Sequence, residues 1–371
     1  MSQLKIHWIC PAPNHYHSYL FNELMKDPEI SLEVHFLMES YSQHPWKRKP
    51  EMSFKHRVVD LRFGLDFRLF RLALDRDNKF VISGWNRVFL VLLVLWLTIL
   101  RRDFLFWTDT PNLAKKRQLI RRIVRKAVTQ IIFRSARKVL GTGGPCLESL
   151  SAMGCPESKL ITFPFFVPLP KLGSVEDRFA NPTLKIVSVG RIDNSLKGCD
   201  IALNAIKIMN QKISTSSFKY FLAGSGPDYS KVCSQAEHLG LSTNVQLLGW
   251  LETGEVAQLM RNAHVLLHPA RWDPFPVAVL EAMAYGLVVL GSEASGSVRD
   301  RIIDGKNGFR HEVGDAKKIA EQLGLLLKHR EVLSQMGLAA RHTAEEWPAS
   351  RGIAIIKSAF QARADTYPCA G

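Results

Sequence analysis

Cysteine is scarce in this chain of 371 residues. Six are present, Cys10, Cys146, Cys155, Cys199, Cys233 and Cys369, with no Cys-x-x-Cys pair and no cysteine–histidine run at metal-ligand spacing. A disulfide framework and a zinc site are therefore not indicated. Long apolar runs are missing as well: the one candidate, Val88 to Leu100, has 13 residues, short of the roughly 20 that cross a bilayer. It reads as a buried helix or, alternatively, as an element that dips into a membrane. Lys5 leads straight into a strand-like segment without the apolar stretch of a secretion signal, so a cytoplasmic protein is expected. Internal repeats and low-complexity tracts are absent. No Gly-x-Gly-x-x-Gly follows the first strand, which argues against a nicotinamide-linked oxidoreductase.

What is present is a soluble globular balance, 46% hydrophobic and 22% charged, in a length that suits two domains of ordinary size. The net charge of +15 is uneven: residues 1–165 carry 26 Lys+Arg against 14 Asp+Glu, and the remainder 23 against 20. A basic first half implies an anionic partner there: nucleic acid, a phosphorylated substrate or an anionic membrane surface.

Strand-length apolar runs alternate with helical patterns, the rhythm of parallel βα units. Strands are predicted at Leu4–Ile9, Leu32–Leu37, Phe104–Thr108 and Lys138–Gly141, with helices at His17–Met25 and Trp85–Leu100 and a basic helix from about Leu113. The rhythm restarts with strands Leu184–Val189, Tyr220–Ala223, Val245–Leu248, Val265–His268 and Val288–Gly291, separated by helices. Pro164, Pro168, Pro170 and Pro182 mark a linker between the halves. The expected division is 1–165, 183–346, and a terminal helix over 347–363 that packs back toward the first domain. Two doubly wound α/β domains would face each other across a cleft, with ligands outside the carboxyl ends of the strands.

The first loop of the second half runs Gly190-Arg191-Ile192-Asp193-Asn194-Ser195-Leu196-Lys197-Gly198 and brings a guanidinium and an ammonium to a helix start. That combination makes a diphosphate site, although two surface cations would read the same way. In Asp273-Pro274-Phe275-Pro276-Val277-Ala278-Val279-Leu280-Glu281, one carboxylate stands before a helix and one inside its apolar run, where it needs a partner. Sugar hydroxyls would serve, as would a neighbouring basic side chain. In the first half, His15 and His17 follow the first strand, and Asp109 lies in Trp107-Thr108-Asp109-Thr110-Pro111. Asp109 is either an acceptor-orienting carboxylate or an N-cap for the basic helix. Asp75-Arg76-Asp77 imitates a metal motif but reads as a solvated turn, and no metal ligand set is assigned.

From Lys115 to Lys138 ten cations, among them Lys116, Arg117, Arg121, Arg122, Arg125 and Lys126, interleave with Leu119, Ile120, Ile123, Val124 and Ile131. A basic amphipathic helix suits an anionic membrane surface. Without an aromatic stacking platform, nucleic acid is not expected as a partner.

Taken together, these segments resemble the family 4 retaining glycosyltransferases of GT-B fold. The likeness rests on Gly190-Arg191 with Lys197-Gly198, Gly224-Ser225-Gly226-Pro227, Leu248-Gly249-Trp250-Leu251, Asp273 to Glu281, and Asp304-Gly305-Lys306-Asn307-Gly308-Phe309. It implies a nucleotide-sugar donor as substrate, no cofactor and no required metal. By the same likeness Gly190, Arg191 and Lys197 would bind the diphosphate, Trp250 would border the base, and Glu281 would hold the ribose. Backbone near Phe275, Pro276 and Val277 would hold phosphate and sugar. Asp273 stands where the family usually has Glu, and Pro276 where it commonly has Gly. Arg191, Lys197, Asp273 and Asp109 are the expected catalytic set. The acceptor would be a glycan or lipid-linked intermediate, with the protein peripheral at the inner face of the membrane. The alternatives are a GT-B phosphorylase, a nucleotide-sugar 2-epimerase, or a non-catalytic nucleotide-sugar-binding membrane scaffold.

Overall fold

A computed structural model describes residues 3–40, 50–60, 65–85, 87–114, 118–172, 182–212 and 217–361. In the first half, β1 (Leu4–Cys10), β2 (Ile30–Phe36), β3 (Lys55–Val58), β4 (Asn78–Ser83), β5 (Phe104–Thr108), β6 (Lys138–Gly141) and β7 (Leu160–Thr162) form one sheet. Its order is β3-β2-β1-β4-β5-β6-β7, with every pair parallel. Apolar residues fill the middle strands on both faces because helices cover both sides. Trp8, at the centre, packs edge-on against Phe21 and Trp107, and its indole N–H donates to Ser83 Oγ at 3.1 Å.

The second half repeats the plan with β8 (Leu184–Val189), β9 (Phe218–Ala223), β10 (Val245–Gly249), β11 (Val265–His268), β12 (Val288–Ser292) and β13 (Gly308–His311). The order β10-β9-β8-β11-β12-β13, again parallel, reverses direction between β8 and β11. Such a reversal opens a crevice at the carboxyl ends of the two strands, where the loops after β8 and β11 diverge.

Four strands are not among those predicted: the central β4, whose buried run Phe80–Ile82 is short and follows a charged turn, and the edge strands β3, β7 and β13. β3 reads Lys-His-Arg-Val and is largely exposed, because an edge strand carries charge rather than an apolar run. β7 has only three residues, all half-buried. The basic helix begins at Leu119, later than its composition suggests, and residues 115–117, including Lys115, Lys116 and Arg117, lie outside the described residues.

After the second sheet the chain crosses back. The helix Ala349–Gln361 places Ile356, Ala359 and Phe360 in the same apolar cluster as Trp8, Phe21 and Phe163 of the first half. Lys357 Nζ reaches Asp27 at 3.0 Å, and Arg137 Nε donates to Ala359 O at 2.8 Å. Around the cleft, Thr110 Oγ1 donates to Pro274 O at 3.1 Å, and Gly144 N–H donates to Asp300 Oδ1 at 2.8 Å.

Ile356 is fully buried, so Ile356→Ala removes methylenes from the first half's core at about 2–5 kcal/mol. Thermal unfolding followed by tryptophan fluorescence should show a midpoint lower by several degrees. An unchanged midpoint would mean that the helix contributes nothing to that core.

Candidate functional site

Two glycine turns make the floor of the crevice. Gly190 and Gly224, after β8 and β9, have φ of 149° and 146°, and a Cβ on Gly224 would fall 1.8 Å from Gly190 O. The two backbones touch, so no side chain fits between them. A short helix, Asn194–Lys197, ends at Gly198, which adopts φ 66° and lies so close to Pro269 O that a Cβ would overlap it. Arg271 locks this loop in place: it grips Asp200 through two 2.7 Å bonds and donates to Asn194 O at 2.7 Å. Lys197 is thereby delivered to the loop after β11.

There it meets Asp273. Lys197 Nζ donates to Asp273 Oδ2, and His268 Nε2 lies 3.2 Å from the same oxygen. Asp273 and His268 are both buried. Burial alone would raise the aspartate's pKa, but the bond from His268 and the charge of Lys197 outweigh it and hold the carboxyl below its ordinary value. Arg191 Nε lies 3.8 Å from Asp193 Oδ2.

Glu281 is one helical step below the rim, inside Val277–Ala284. Burial pushes its pKa up to about 7, and no hydrogen bond or charge from a described residue opposes the shift. A carboxylate left in this condition is poised for a ligand's hydroxyl groups. Gly190, Arg191, Gly224, Trp250, Val277 and Glu281 wall one pocket of about 220 Å³, together with His15 and Tyr16 from the first domain. Trp250 is steadied by its Nε1–H bond of 3.1 Å to Glu252 Oε1. Phe275 turns away, buried with Val167, Leu280 and Ala284, and Pro276 forms the helix N-cap, so these two offer the site backbone only.

A second pocket of about 480 Å³ adjoins the first along Tyr16 and is walled by His17, Trp85, Trp107, Asp109, Arg125 and Phe165. Asp109 does not cap the basic helix, which starts at Leu119. Its carboxylate accepts instead from Thr142 Oγ1 at 3.0 Å. The side chain is open to cleft water, yet the flanking protein desolvates it and, helped by Asp273, pushes its pKa up toward about 7 against the Thr142 bond. His15 and His17, expected around a loop, both stand in the first turn of the helix His15–Leu24 and part company there. His15 borders the pocket of about 220 Å³, whereas His17 is buried among Tyr16, Trp107 and Phe165, with burial lowering its pKa to about 3.

Two readings from the sequence settle as architecture. Asp75-Arg76-Asp77 is an exposed turn in which Asp77 N–H donates to Asp75 Oδ1 at 3.0 Å. Asn307, in the Asp304 to Phe309 turn, is buried and bonds Ile303 N–H, Arg301 O and Thr343 Oγ1, pinning a helix rather than facing the pocket. Among the described residues, His7, Glu33 and His35 alone cluster at metal-ligand distances, but Arg57 Nε donates to His35 Nδ1 and Arg68 pairs with Glu33. His7 Nδ1 and His35 Nε2 lie 3.1 Å apart in a hydrogen bond of their own, so the cluster reads as an internal polar network. The sequence pattern passes over His268, whose only signal is its place at the end of a predicted strand.

Comparisons with known proteins agree with this geometry. Residues 175–343 match the family model described as glycosyl transferases group 1. The amylovoran biosynthesis glycosyltransferase AmsK of Erwinia amylovora is 30% identical over 205 residues, covering 53% of this chain and 49% of that protein. The lipopolysaccharide 1,6-galactosyltransferase of Salmonella typhimurium is 31% identical over 102 residues, 27% and 28% of the two chains. The chain spans about half the length of the first curated relatives it matches. In fold, Anabaena Alr3699/HepE, solved with UDP and glucose, superposes with a TM-score of 0.75 at 15% identity over 97% of this chain and 100% of that one. WaaG, a glycosyltransferase involved in lipopolysaccharide biosynthesis, gives 0.65 at 14% identity over 96% and 100%. The glycosyltransferase resemblance drawn from the motifs agrees with these matches over residues 175–343, and the architecture is GT-B.

The state of Glu281 generates a test with two opposite signs. A carboxyl whose folded pKa lies near 7, above its ordinary value near 4.3, binds more protons folded than unfolded between those values. Stability is therefore lost as pH rises through that window, and Glu281→Gln should remove the loss. Thermal midpoints at pH 5 and pH 8 should show the variant gaining on the wild type at the higher pH. Calorimetry with UDP and GDP should show binding of whichever nucleotide the wild type prefers weakened about tenfold or more. A variant that gains nothing at pH 8 would mean that the carboxylate is already compensated.

Proposed function

We propose that the protein is a retaining glycosyltransferase that moves a sugar from a nucleotide-sugar donor to an acceptor hydroxyl. The observation that carries the reading is the convergence, around one pocket, of Arg191, the Gly190–Gly224 turns, Trp250, the start of the helix Val277–Ala284, and an uncompensated Glu281. Lys197 and Asp273 stand beside it. Departure of a nucleoside diphosphate develops negative charge, which Arg191, Lys197 and helix-terminal N–H groups are arranged to stabilise without a metal. In this reading Glu281 takes the ribose hydroxyls and Asp273 the sugar. The acceptor oxygen attacks the anomeric carbon from the face the phosphate leaves, the bond to the phosphate breaks, and a phosphate oxygen takes the acceptor's proton.

The acceptor is assigned to the aromatic pocket of the first domain, where ring faces suit a sugar and Asp109 lies at the junction with the donor side. Names of the relatives support a glycan acceptor in surface-polysaccharide assembly. A lipid-linked form follows from the helix beside that pocket. Leu119, Ile120, Ile123 and Val124 of Leu119–Ser135 are all more than half exposed, next to exposed Arg121, Arg122 and Lys126. Apolar side chains flanked by cations fit an anionic bilayer surface, and no described helix is long and apolar enough to cross one.

The donor is tested by turnover with a panel of UDP-, GDP- and dTDP-sugars. Arg191→Ala and Lys197→Ala should each lower transfer by about two orders of magnitude or more. Arg191→Ala should leave the thermal midpoint nearly unchanged, and Lys197→Ala should lower it modestly, because Asp273 then keeps only His268. Near-normal turnover in both would remove the donor assignment, and an isomerised donor would mark an epimerase. For the membrane, the wild type should float with anionic liposomes at low salt and stay behind with neutral ones. Arg121→Gln with Arg122→Gln, or Ile120→Ser with Ile123→Ser, should reduce flotation, since each engaged cation contributes about 1 kcal/mol. A wild type that ignores anionic vesicles would favour a soluble acceptor.

A further inference from the structure

His268 ends β11, where it pairs with Gly291 of β12 while the pairing to β8 stops at Leu266, beside the point where strand order reverses. Its side chain is buried, and Nε2 meets the carboxylate at 3.2 Å as an ion-pair contact rather than an aligned hydrogen bond, with no other polar partner among the described residues. Asp273 is held at its backbone and at its carboxylate. Asp273 N–H donates to Ala294 O at 3.2 Å, and Asp273 O accepts from Gly296 N–H at 3.0 Å, which fixes the backbone. Oδ2 receives both Lys197 Nζ and His268 Nε2. Oδ1 makes no hydrogen bond to a described residue. The two donors crowd onto one oxygen and leave the other for a ligand.

Lys197 has a second claim on it. In the donor reading above, its ammonium is the group that meets the diphosphate, whose charge competes with Asp273 for the same N–H bonds. A buried carboxylate that loses its cation is costly unless another donor remains. The imidazole ends a sheet strand rather than sitting on a loop, and the cavity it lines with Gly190, Arg191 and Lys197 measures only about 20 Å³, room for no more than a water, so no ligand draws it away.

We propose that His268 is a positioning residue for Asp273, holding Oδ2 while Lys197 turns toward the diphosphate and so keeping Oδ1 aimed at the donor sugar. This inference rests on the assignment of the donor site. The aim of Oδ1 bears on the sugar and therefore on turnover, whereas Lys197 is drawn away by the diphosphate of the nucleotide alone, so loss of His268 lowers turnover more than it lowers nucleotide affinity. The shorter aspartate makes it more necessary: with one methylene fewer than the glutamate usual in the resembled family, Asp273 cannot recover its reach by changing rotamer.

The test compares His268→Ala, His268→Gln and His268→Asn with the wild type. A glutamine amide N–H falls near the position of imidazole Nε2, whereas that of asparagine stops near Nδ1. His268→Ala should lower kcat about 10- to 100-fold, the range seen when a group that orients a functional side chain is lost. His268→Gln should recover most of it and His268→Asn little. Calorimetry with UDP or GDP, whichever the wild type binds, should show affinity near wild type for His268→Gln and, for His268→Ala and His268→Asn, lowered by clearly less than kcat falls, since only the complete donor also loses its hydrogen bonds to the sugar. Thermal midpoints accompany each measurement, and the glutamine–asparagine pair decides the matter if the alanine variant does not fold. Turnover within about twofold of wild type for His268→Ala, equal behaviour of Gln and Asn, or nucleotide affinity falling in step with kcat would each overturn the proposal, because a positioning group acts through the geometry of the residue it holds. A wild type that neither binds nucleoside diphosphate nor turns over any donor of the panel would instead overturn the donor reading, and this inference with it.

Discussion

Lys197 lies against an anion that the protein supplies, and the rest of the site is arranged around that contact. Asp273 is buried, its carboxylate ionised because a cation and an imidazole converge on one oxygen. Removing either would leave a charge in a place that solvates it poorly. The loop that carries Lys197 is correspondingly over-determined, by Gly198 against Pro269, by Arg271 on Asp200, and by the hydrogen bond from Arg271 N–H to Leu196 O. A lysine held this firmly between a carboxylate and an open pocket can respond to an arriving anion without searching for it, which is what preorganisation means in electrostatic catalysis.

The same constraint links the two domains. Asp273 forms a bridge with Ser295, and the helix Gly296–Arg301 that follows offers Asp300 to the Gly144 N–H of the first domain. Arg299 adds a pair with Glu148 at 3.1 Å, exposed and therefore weak. Thr110 reaches Pro274 from the other side of the cleft. The carboxylate assigned to the donor sugar is thus two short steps from the contacts that set how the first domain sits. The pocket assigned to the acceptor opens against it through Asp109 and Tyr16.

Much of this is legible in the residues. Central strands such as Val265–His268 and Val288–Ser292 are buried on both faces, so their apolar runs announce them. Arg191, Lys197, Trp250 and Glu281 stand out because glycine turns and charge in an apolar setting are local signals. What escapes is non-local. β3 hides its strand character behind the charges of an edge, and His268 looks like any residue closing a strand until Asp273 is seen 3.2 Å away. Phe275 and Asn307 illustrate the converse: both sit in segments that resemble a binding motif, yet one side chain packs into an apolar cluster and the other ties a helix to its neighbour. Sequence spacing gives which loop a residue occupies, not which way it faces.

The central claim is that a nucleoside diphosphate binds in the crevice between β8 and β11 with Lys197 shared between it and Asp273. A crystal structure grown with UDP or GDP measures this directly. The account requires the diphosphate against Arg191 and Lys197, the ribose on Glu281 and the base beside Trp250, with His268 still on Asp273. A nucleotide lodged in the aromatic pocket of the first domain, or a diphosphate that leaves Arg191 and Lys197 untouched, would contradict it.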